Sequence, residues 1–284
     1  MKLHIRDVNT SLLKAVLKTY SRIKTITLVF IGETDHNRFD SHLLRVLSRD
    51  SVSECRVLSS IPFERLSNRG LVNRSIIVSS RHHNLIGLEV KTHILTEALF
   101  FDNEGDASVD LILSMSALGS QPALKFKKSS GDERHAPVRN ISLEELEATV
   151  EYMPLKPHFD LKIEINESVI EKILMFLKRS SLNKFKTIEI KGECISETHS
   201  KLEIHSEGIQ SSLFICFNSL PTKISGDSTQ SSCRFSLSIF DKLCSPLKCR
   251  EEGVCSLFLR SLDDCDIELE INGVVVCSRS AGSI

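Results

Sequence analysis

The sequence of 284 residues contains no Trp, two Tyr and 14 Phe. Proteins that bind single-stranded nucleic acid by stacking its bases rely on aromatic side chains. This composition therefore argues against base stacking as the binding mode of the chain. The formal net charge of −1 argues against a wholly basic nucleic-acid binder. It leaves room for one basic surface that acidic residues elsewhere offset.

Long apolar runs are also missing. No stretch approaches the length of about 18 apolar residues that a membrane-spanning helix needs, so we expect no membrane association. The opening MKLHIRDV carries charge where a secretory signal has an apolar core. None of the nine Cys forms CxxC, and the six beyond position 230 have no His among them. We therefore expect reduced thiols in a reducing compartment, and neither a zinc site nor a cofactor.

Motifs that carry catalytic or phosphate-binding chemistry are absent as well. The sequence contains no GxGxxG, no GxxxxGK[ST], no GxSxG and no HExxH. No catalytic residue is predicted on this basis.

A repeated pattern organises the sequence that remains. Residues 166–181, NESVIEKILMFLKRSS, have the apolar spacing of an amphipathic helix that Asn166 or Ser168 caps, between the strand-like runs FDLKIEI and KTIEIKGE. The N-terminus has the same plan, with KLHIRDV, NTSLLKAVLKTYSRIK and TITLVFIG. Four apolar positions of the two helices match at a constant offset: Leu12, Leu13, Val16 and Leu17 with Val169, Ile170, Ile173 and Leu174. This repeat indicates that one structural unit occurs twice.

The repeat predicts an α+β protein with two tandem domains, at 1–128 and 159–284, each with antiparallel sheets and two helices on one face. Residues 129–158 are polar and then acidic, and we interpret them as an exposed connector. Residues 32–60 match the plan poorly, and SHLLRVLSRD is compatible with either a short helix or a strand.

Basic residues follow one side of the first helix. Lys14, Lys18 and Arg22 are spaced by four and so lie on one helix face. Such a face is often simply solvated, and it also suits contact with phosphates.

Several stretches resemble one family in particular. They are MKL before a helix and TITLVFIG, then LEVKTHILTEAL, then the run from FDLKIEI through KTIEIKGE and KLEIHSEG, and finally SLFICFNSLP. Together they resemble the sliding DNA clamps of the PCNA-like superfamily. Within that superfamily the chain is most similar to the Hus-type (yeast Mec-type) subunit of the checkpoint nine-one-one clamp.

This resemblance implies a non-enzymatic, nuclear protein without cofactor or metal. It implies a heterotrimeric ring with two other clamp subunits around double-stranded DNA, bound without regard to sequence. A clamp loader and checkpoint and repair proteins would be further partners. The implied DNA-facing residues lie on three helices, and they are Lys14, Lys18, Arg22, Lys172, Arg179, Lys242 and Lys248.

The resemblance also implies that sheet edges close the ring. We expect the edge strands in SVDLILSMS and GVCSLFLRS, with Leu111, Leu113, Leu257 and Leu259 at the subunit interface. Two alternatives stay open. One is a homotrimeric replicative processivity clamp, and the other is an unrelated α+β enzyme or scaffold.

Overall fold

The structure is a computed structural model of the full chain. It describes the chain apart from positions 22, 34–41, 49–54, 70–74, 82, 101–107, 116–120, 147–160, 225–228, 238–239, 242–243, 245–254, 262–264, 272–273 and 281–284. The chain divides into two compact units. Unit 1 comprises Met1–Ser51 and Leu58–Pro154, and unit 2 comprises Val52–Val57 and Leu155–Ile284.

The described residues of unit 1 form nine strands in two antiparallel sheets. The strands are β1 (Lys2–Ile5), β2 (Thr25–Ile31), β3 (Leu43–Ser48), β4 (Cys55–Pro62), β5 (Ile76–Ser79), β6 (Leu85–Lys91), β7 (Val109–Met115), β8 (Pro122–Lys128) and β9 (Glu133–Asn140). One sheet has the order β5–β1–β7–β8–β9. The other has the order β9–β6–β2–β3–β4, so β9 belongs to both.

Unit 2 repeats this arrangement with eight strands. They are β10 (Leu161–Ile165), β11 (Thr187–Ser196), β12 (His199–Glu207), β13 (Ser212–Ile224), β14 (Gln230–Ser236), β15 (Cys255–Ser261), β16 (Cys265–Ile271) and β17 (Val274–Ser280). One antiparallel sheet runs β14–β11–β12–β13. The other runs β13–β10–β15–β16–β17, so the long strand β13 also takes part in two sheets.

Five helices are defined along the described residues. They are α1 (Thr10–Thr19), α2 (Phe63–Leu66), α3 (Thr92–Leu99), α4 (143–146) and α5 (Glu167–Leu182). Residues 237 and 240–241 are also helical. In unit 1, α1 packs against α3, and α3 packs against β6 and β9. In unit 2, α5 packs against β13. Among the described residues, no helix has both the length and the apolar character to cross a bilayer.

The predicted repeat is confirmed, because β1–α1–β2–β3 in unit 1 corresponds to β10–α5–β11–β12 in unit 2. Both helices begin with the same cap. The side chain of Asn9 accepts a hydrogen bond from the N–H of Leu12 at 2.9 Å, and Asn166 accepts one from Val169 at 3.0 Å. An Asn at this position satisfies an N–H that has no partner inside the helix.

The structure assigns secondary structure to two stretches for which the sequence left it open or predicted a connector. SHLLRVLSRD, for which the sequence left helix or strand open, contains strand β3. Part of the stretch predicted as a connector, 133–140, forms strand β9 of unit 1. The short helix α4 follows β9 and lies at the start of the acidic stretch. Its Leu146 is buried against Val29, Ile31 and Leu85.

Candidate nucleic-acid interface

Helix α1 presents a basic face opposite a fully apolar one. Leu13, Val16 and Leu17 are buried, whereas Lys14 is half-buried and Lys18 is exposed. Of the three cations that the sequence placed on this face, the structure therefore brings Lys14 and Lys18 to one side of the helix. Arg22 lies outside the described residues.

Lys14 lies in an unusual environment for a surface lysine. Its Nζ is 5.0 Å from the centroid of the Phe100 ring, within the range of a cation–π interaction. Phe100 ends α3 and stays 52% exposed. Burial, and then the positive charge of Lys128, lower the pKa of Lys14 below its ordinary value.

Lys128 is a helix-side cation that the sequence analysis did not select. Along β8, Leu124 and Phe126 are buried, and Lys128 shares their side of the strand by its period of two. Its positive charge repels that of Lys14 on α1 and contributes to the lowered pKa of Lys14. The alternation of β8 was visible in the sequence and would have indicated this placement.

Arg134 on β9 is a second cation near α3 that was not predicted. Its Nη1 donates to the carbonyl oxygen of Glu97 at 3.2 Å, at the C-terminal end of α3. A cation at this end complements the partial negative charge of the helix terminus. Arg134 therefore supplies positive charge beside a helix whose own sequence carries Glu97 and no Lys or Arg.

Helix α5 carries the predicted cations of unit 2. Lys172 and Arg179 are both exposed, seven residues apart, on one side of the helix that borders the buried stripe of Val169, Ile173 and Leu177. Between the two cations lies Met175, which is 53% exposed. The face is thus accessible to a large ligand and is basic on one flank. Lys242 and Lys248, the predicted cations of the last helix, lie outside the described residues.

The predicted edge strands are interior strands of their sheets, which corrects the sequence interpretation. Strand β7, with Leu111 and Leu113, pairs with β8 along its length and with β1 at Leu111 and Ile112. Leu111 is buried and Leu113 is half-buried. Strand β15 pairs with β10 on one side and β16 on the other. Leu257 is opposite Ile163 and Leu269, and Leu259 is opposite Leu161 and Ile267. Leu111, Leu257 and Leu259 are thus in strand sections that are paired on both sides, and Leu113 is paired with β8. A subunit-interface role for these four residues stays a prediction.

Other strands have one free side within the described part of the chain. In β9, residues 133–137 pair with β8, and β6 pairs only with 138–140. In β13, the section before Thr222 pairs with β12, and β10 pairs only with 222–224. Sequence patterns did not reveal these edges, because strand order depends on pairing between distant segments.

Solved structures that resemble the chain are clamps. It is similar to the proliferating cellular nuclear antigen (PCNA) of Entamoeba histolytica, with a TM-score of 0.67, 13% identity and coverage of 99% of both chains. It is similar to a chain of the PCNA2–PCNA3 complex from Sulfolobus tokodaii, with a TM-score of 0.63, 14% identity and coverage of 99% of this chain and 98% of that one. It is also similar to PCNA from Thermococcus kodakaraensis, with a TM-score of 0.65, 10% identity and coverage of 99% and 100%.

Sequence comparison adds no closer relationship, since no protein-family model and no curated protein matches the chain. At identities this low, structural similarity establishes the fold. The chain has the sliding-clamp fold, with two tandem α+β units, which confirms the predicted fold class.

Proposed function

We propose that the chain is one subunit of a ring-shaped clamp that encircles double-stranded DNA. The observation that carries this proposal is the clamp fold, which extends over 99% of the chain. The solved structure from Sulfolobus tokodaii is named as a complex of two different chains, PCNA2 and PCNA3. We propose that this chain is likewise one of several chains in a ring, with no catalytic activity and no cofactor of its own.

Contact with DNA would be made by cations on helix faces. Lys14, Lys18, Lys172 and Arg179 are accessible on α1 and α5, and we propose that they contact phosphates. Phosphate contacts carry no sequence information, so such a ring moves along DNA, and its affinity falls steeply with salt. Arg22, Lys242 and Lys248 complete the proposed set from sequence alone.

We propose that ring closure uses the free edges of β9 and β13. An antiparallel ladder between β9 of one subunit and β13 of the next satisfies backbone groups that otherwise invite aggregation. In β9 the free section, 133–137, is short and contains Pro137, which has no N–H to donate. Strand β13 offers the longer edge.

The chemistry of these edges favours a ring of different chains. The stretch 208–222, which includes the free edge of β13, contains no charged residue, and its Phe214 is 59% exposed. The free section of β9 carries Glu133, Arg134 and His135. In a ring made only of this chain, β9 of one copy would pair with β13 of the next. The charged side chains of β9 would then lose water against the uncharged, partly apolar edge of β13, which opposes pairing. This mismatch supports two other clamp subunits as neighbours.

We therefore propose the checkpoint type of clamp, a heterotrimer of the Hus-type class that a loader places on damaged DNA in the nucleus. It would recruit checkpoint and repair proteins there. The alternative with a specific observation in its favour is a homotrimeric replicative clamp, because two of the similar structures are named simply as PCNA.

Native mass determination tests the composition of the ring. The purified chain alone is expected at its monomer mass of 31.9 kDa. The tagged chain, purified from cells of its source, is expected in a particle with one copy each of two other chains. A stable trimer of the chain alone would contradict the checkpoint proposal and favour the replicative alternative.

A further inference from the structure

Phe100 is an exposed aromatic ring on the helix side of unit 1. It lies at the end of α3, which packs against α1, and 52% of its surface is accessible. A single exposed phenylalanine is ordinary on a protein surface, and what distinguishes this ring is the ammonium group of Lys14 over it. Composition argued against base stacking as the general binding mode of this chain, yet one accessible ring beside a cation allows a single stacked base.

One cation lies over this ring, and a second lies near the first. The Lys14 ammonium is 5.0 Å from the ring centroid, and Lys128 on β8 is close enough to Lys14 to act on its charge. Burial and this like charge both disfavour the protonated form of Lys14 and lower its pKa. A phosphate beside both ammonium groups would reverse that effect, because an opposite charge favours the protonated form.

Basic side chains beside an accessible ring form the combination that binds single strands. The cations follow the phosphates, and the ring stacks on a base whatever its identity. In the interior of a duplex both faces of each base are covered by its neighbours, so a base there cannot stack on Phe100, whereas an unpaired base can. The ring therefore adds a preference that phosphate contacts alone do not provide.

We propose that Lys14, Lys128 and Phe100 form a subsite for one unpaired nucleotide of single-stranded DNA. The lysines hold its phosphate, and the Phe100 ring stacks on its base. This inference rests on the proposed DNA binding and extends it from duplex to unpaired DNA.

Binding of the full chain to a fluorescent thymidine oligonucleotide at low salt tests the subsite. Phe100→Ala is expected to weaken binding at least about fivefold, and Phe100→Tyr, which keeps the ring, to stay within about twofold of the unmodified chain. The matched control is Ile195→Ala, which removes an apolar side chain that is 57% exposed on unit 2. This control is expected to bind like the unmodified chain. Equal binding by Phe100→Ala, or equal losses in the Ala and Tyr variants, would overturn the proposal.

Photochemical crosslinking locates the base directly. An oligonucleotide with 5-iodouracil is expected to form an adduct that mass spectrometry maps to Phe100, and adducts only elsewhere would refute the subsite. A duplex, tested in parallel with the ring purified together with its partner chains, reports on the clamp proposal. If the unmodified chain binds the single strand through Phe100 but the purified ring does not bind the duplex, the clamp proposal fails and the subsite stands. If the ring binds the duplex, and Phe100→Ala leaves single-strand binding unchanged, only the subsite fails.

Discussion

At the residue scale, Lys14 shows how the fold changes the chemistry of a surface lysine. Its sequence neighbours on α1 give no reason for a lowered pKa, since the cause is partial burial together with Lys128 on a strand far along the chain. The folded protein therefore disfavours the charged form of this side chain relative to the unfolded chain. As pH rises through the lowered pKa of Lys14 towards 10.5, the folded protein no longer has to hold this side chain in its charged form. The free energy of unfolding therefore increases over this pH range.

We predict that Lys128→Gln raises the pKa of Lys14 towards its ordinary value, because it removes the nearby like charge while burial remains. The measurement is the pH dependence of labelling of Lys14 by an amine-reactive reagent, read by mass spectrometry. Lys127→Gln is the matched control, because Lys127 lies on the other side of β8 and pairs with Glu133 at 3.8 Å. An unchanged labelling profile in Lys128→Gln would show that burial alone sets the pKa of Lys14.

At the element scale, α5 is the helix whose two faces divide most clearly into core and surface. Val169, Ile173 and Leu177 are buried, and Lys172 and Arg179 are exposed on one flank of the helix. We predict that the double change Lys172→Glu with Arg179→Glu weakens binding of duplex DNA. It should also make the negative slope of log affinity against log salt shallower by about 2, since each phosphate contact contributes about 0.9 to the steepness of that slope.

The control reverses two cations on the outer side of the same unit. Lys191 and Arg234 are exposed on β11 and β14, beside Glu189 on the surface of the sheet. Lys191→Glu with Arg234→Glu gives the same change in net charge and is expected to leave the salt slope unchanged. Equal effects of the two double variants would mean that the net charge matters and that the α5 face has no special role.

Helices and strands with a regular apolar period could be predicted from the sequence, whereas the strands that form the edges of the sheets could not. Helices α1 and α5 follow from spacing and capping, because both depend on residues a few positions apart. Strand β9 was hidden in a polar stretch with Pro137, since an edge strand needs few apolar residues and tolerates proline. The supposed edges β7 and β15 are interior because β1 and β10, more than 90 residues earlier in the chain, pair with them.

The same limit applies to the candidate site. Lys14, Lys18, Lys172 and Arg179 were accessible to sequence reasoning because helix periodicity separates a polar from an apolar face. The approach of Phe100 and Lys128 to Lys14 depends on how α3 and β8 pack around α1. That geometry arises from tertiary contacts, and the alternation of β8 indicates only which side of its strand Lys128 occupies.

At the scale of the whole molecule, the two units carry unlike edges on similar folds. Strand β13 has a long uncharged edge with an exposed aromatic ring, and β9 has a short edge with charges. A long, uncharged edge with an exposed aromatic side chain promotes aggregation unless another strand covers it. The natural cover is a strand from a neighbouring subunit, so the stability of this chain in the cell should depend on its partners.

A single charge on the β13 edge tests whether that edge closes the ring. We predict that Phe214→Lys weakens incorporation of the chain into the purified ring about tenfold, because the ammonium would have to be desolvated at an apolar contact. The measurement is the fraction of tagged chain found in the full ring by native mass determination. Ile195→Lys adds the same charge at a hairpin end of unit 2, on a side chain of similar exposure, and should assemble normally. Normal assembly of Phe214→Lys would exclude this edge from the interface, whereas loss of assembly in both variants would indicate a general effect of charge on the unit.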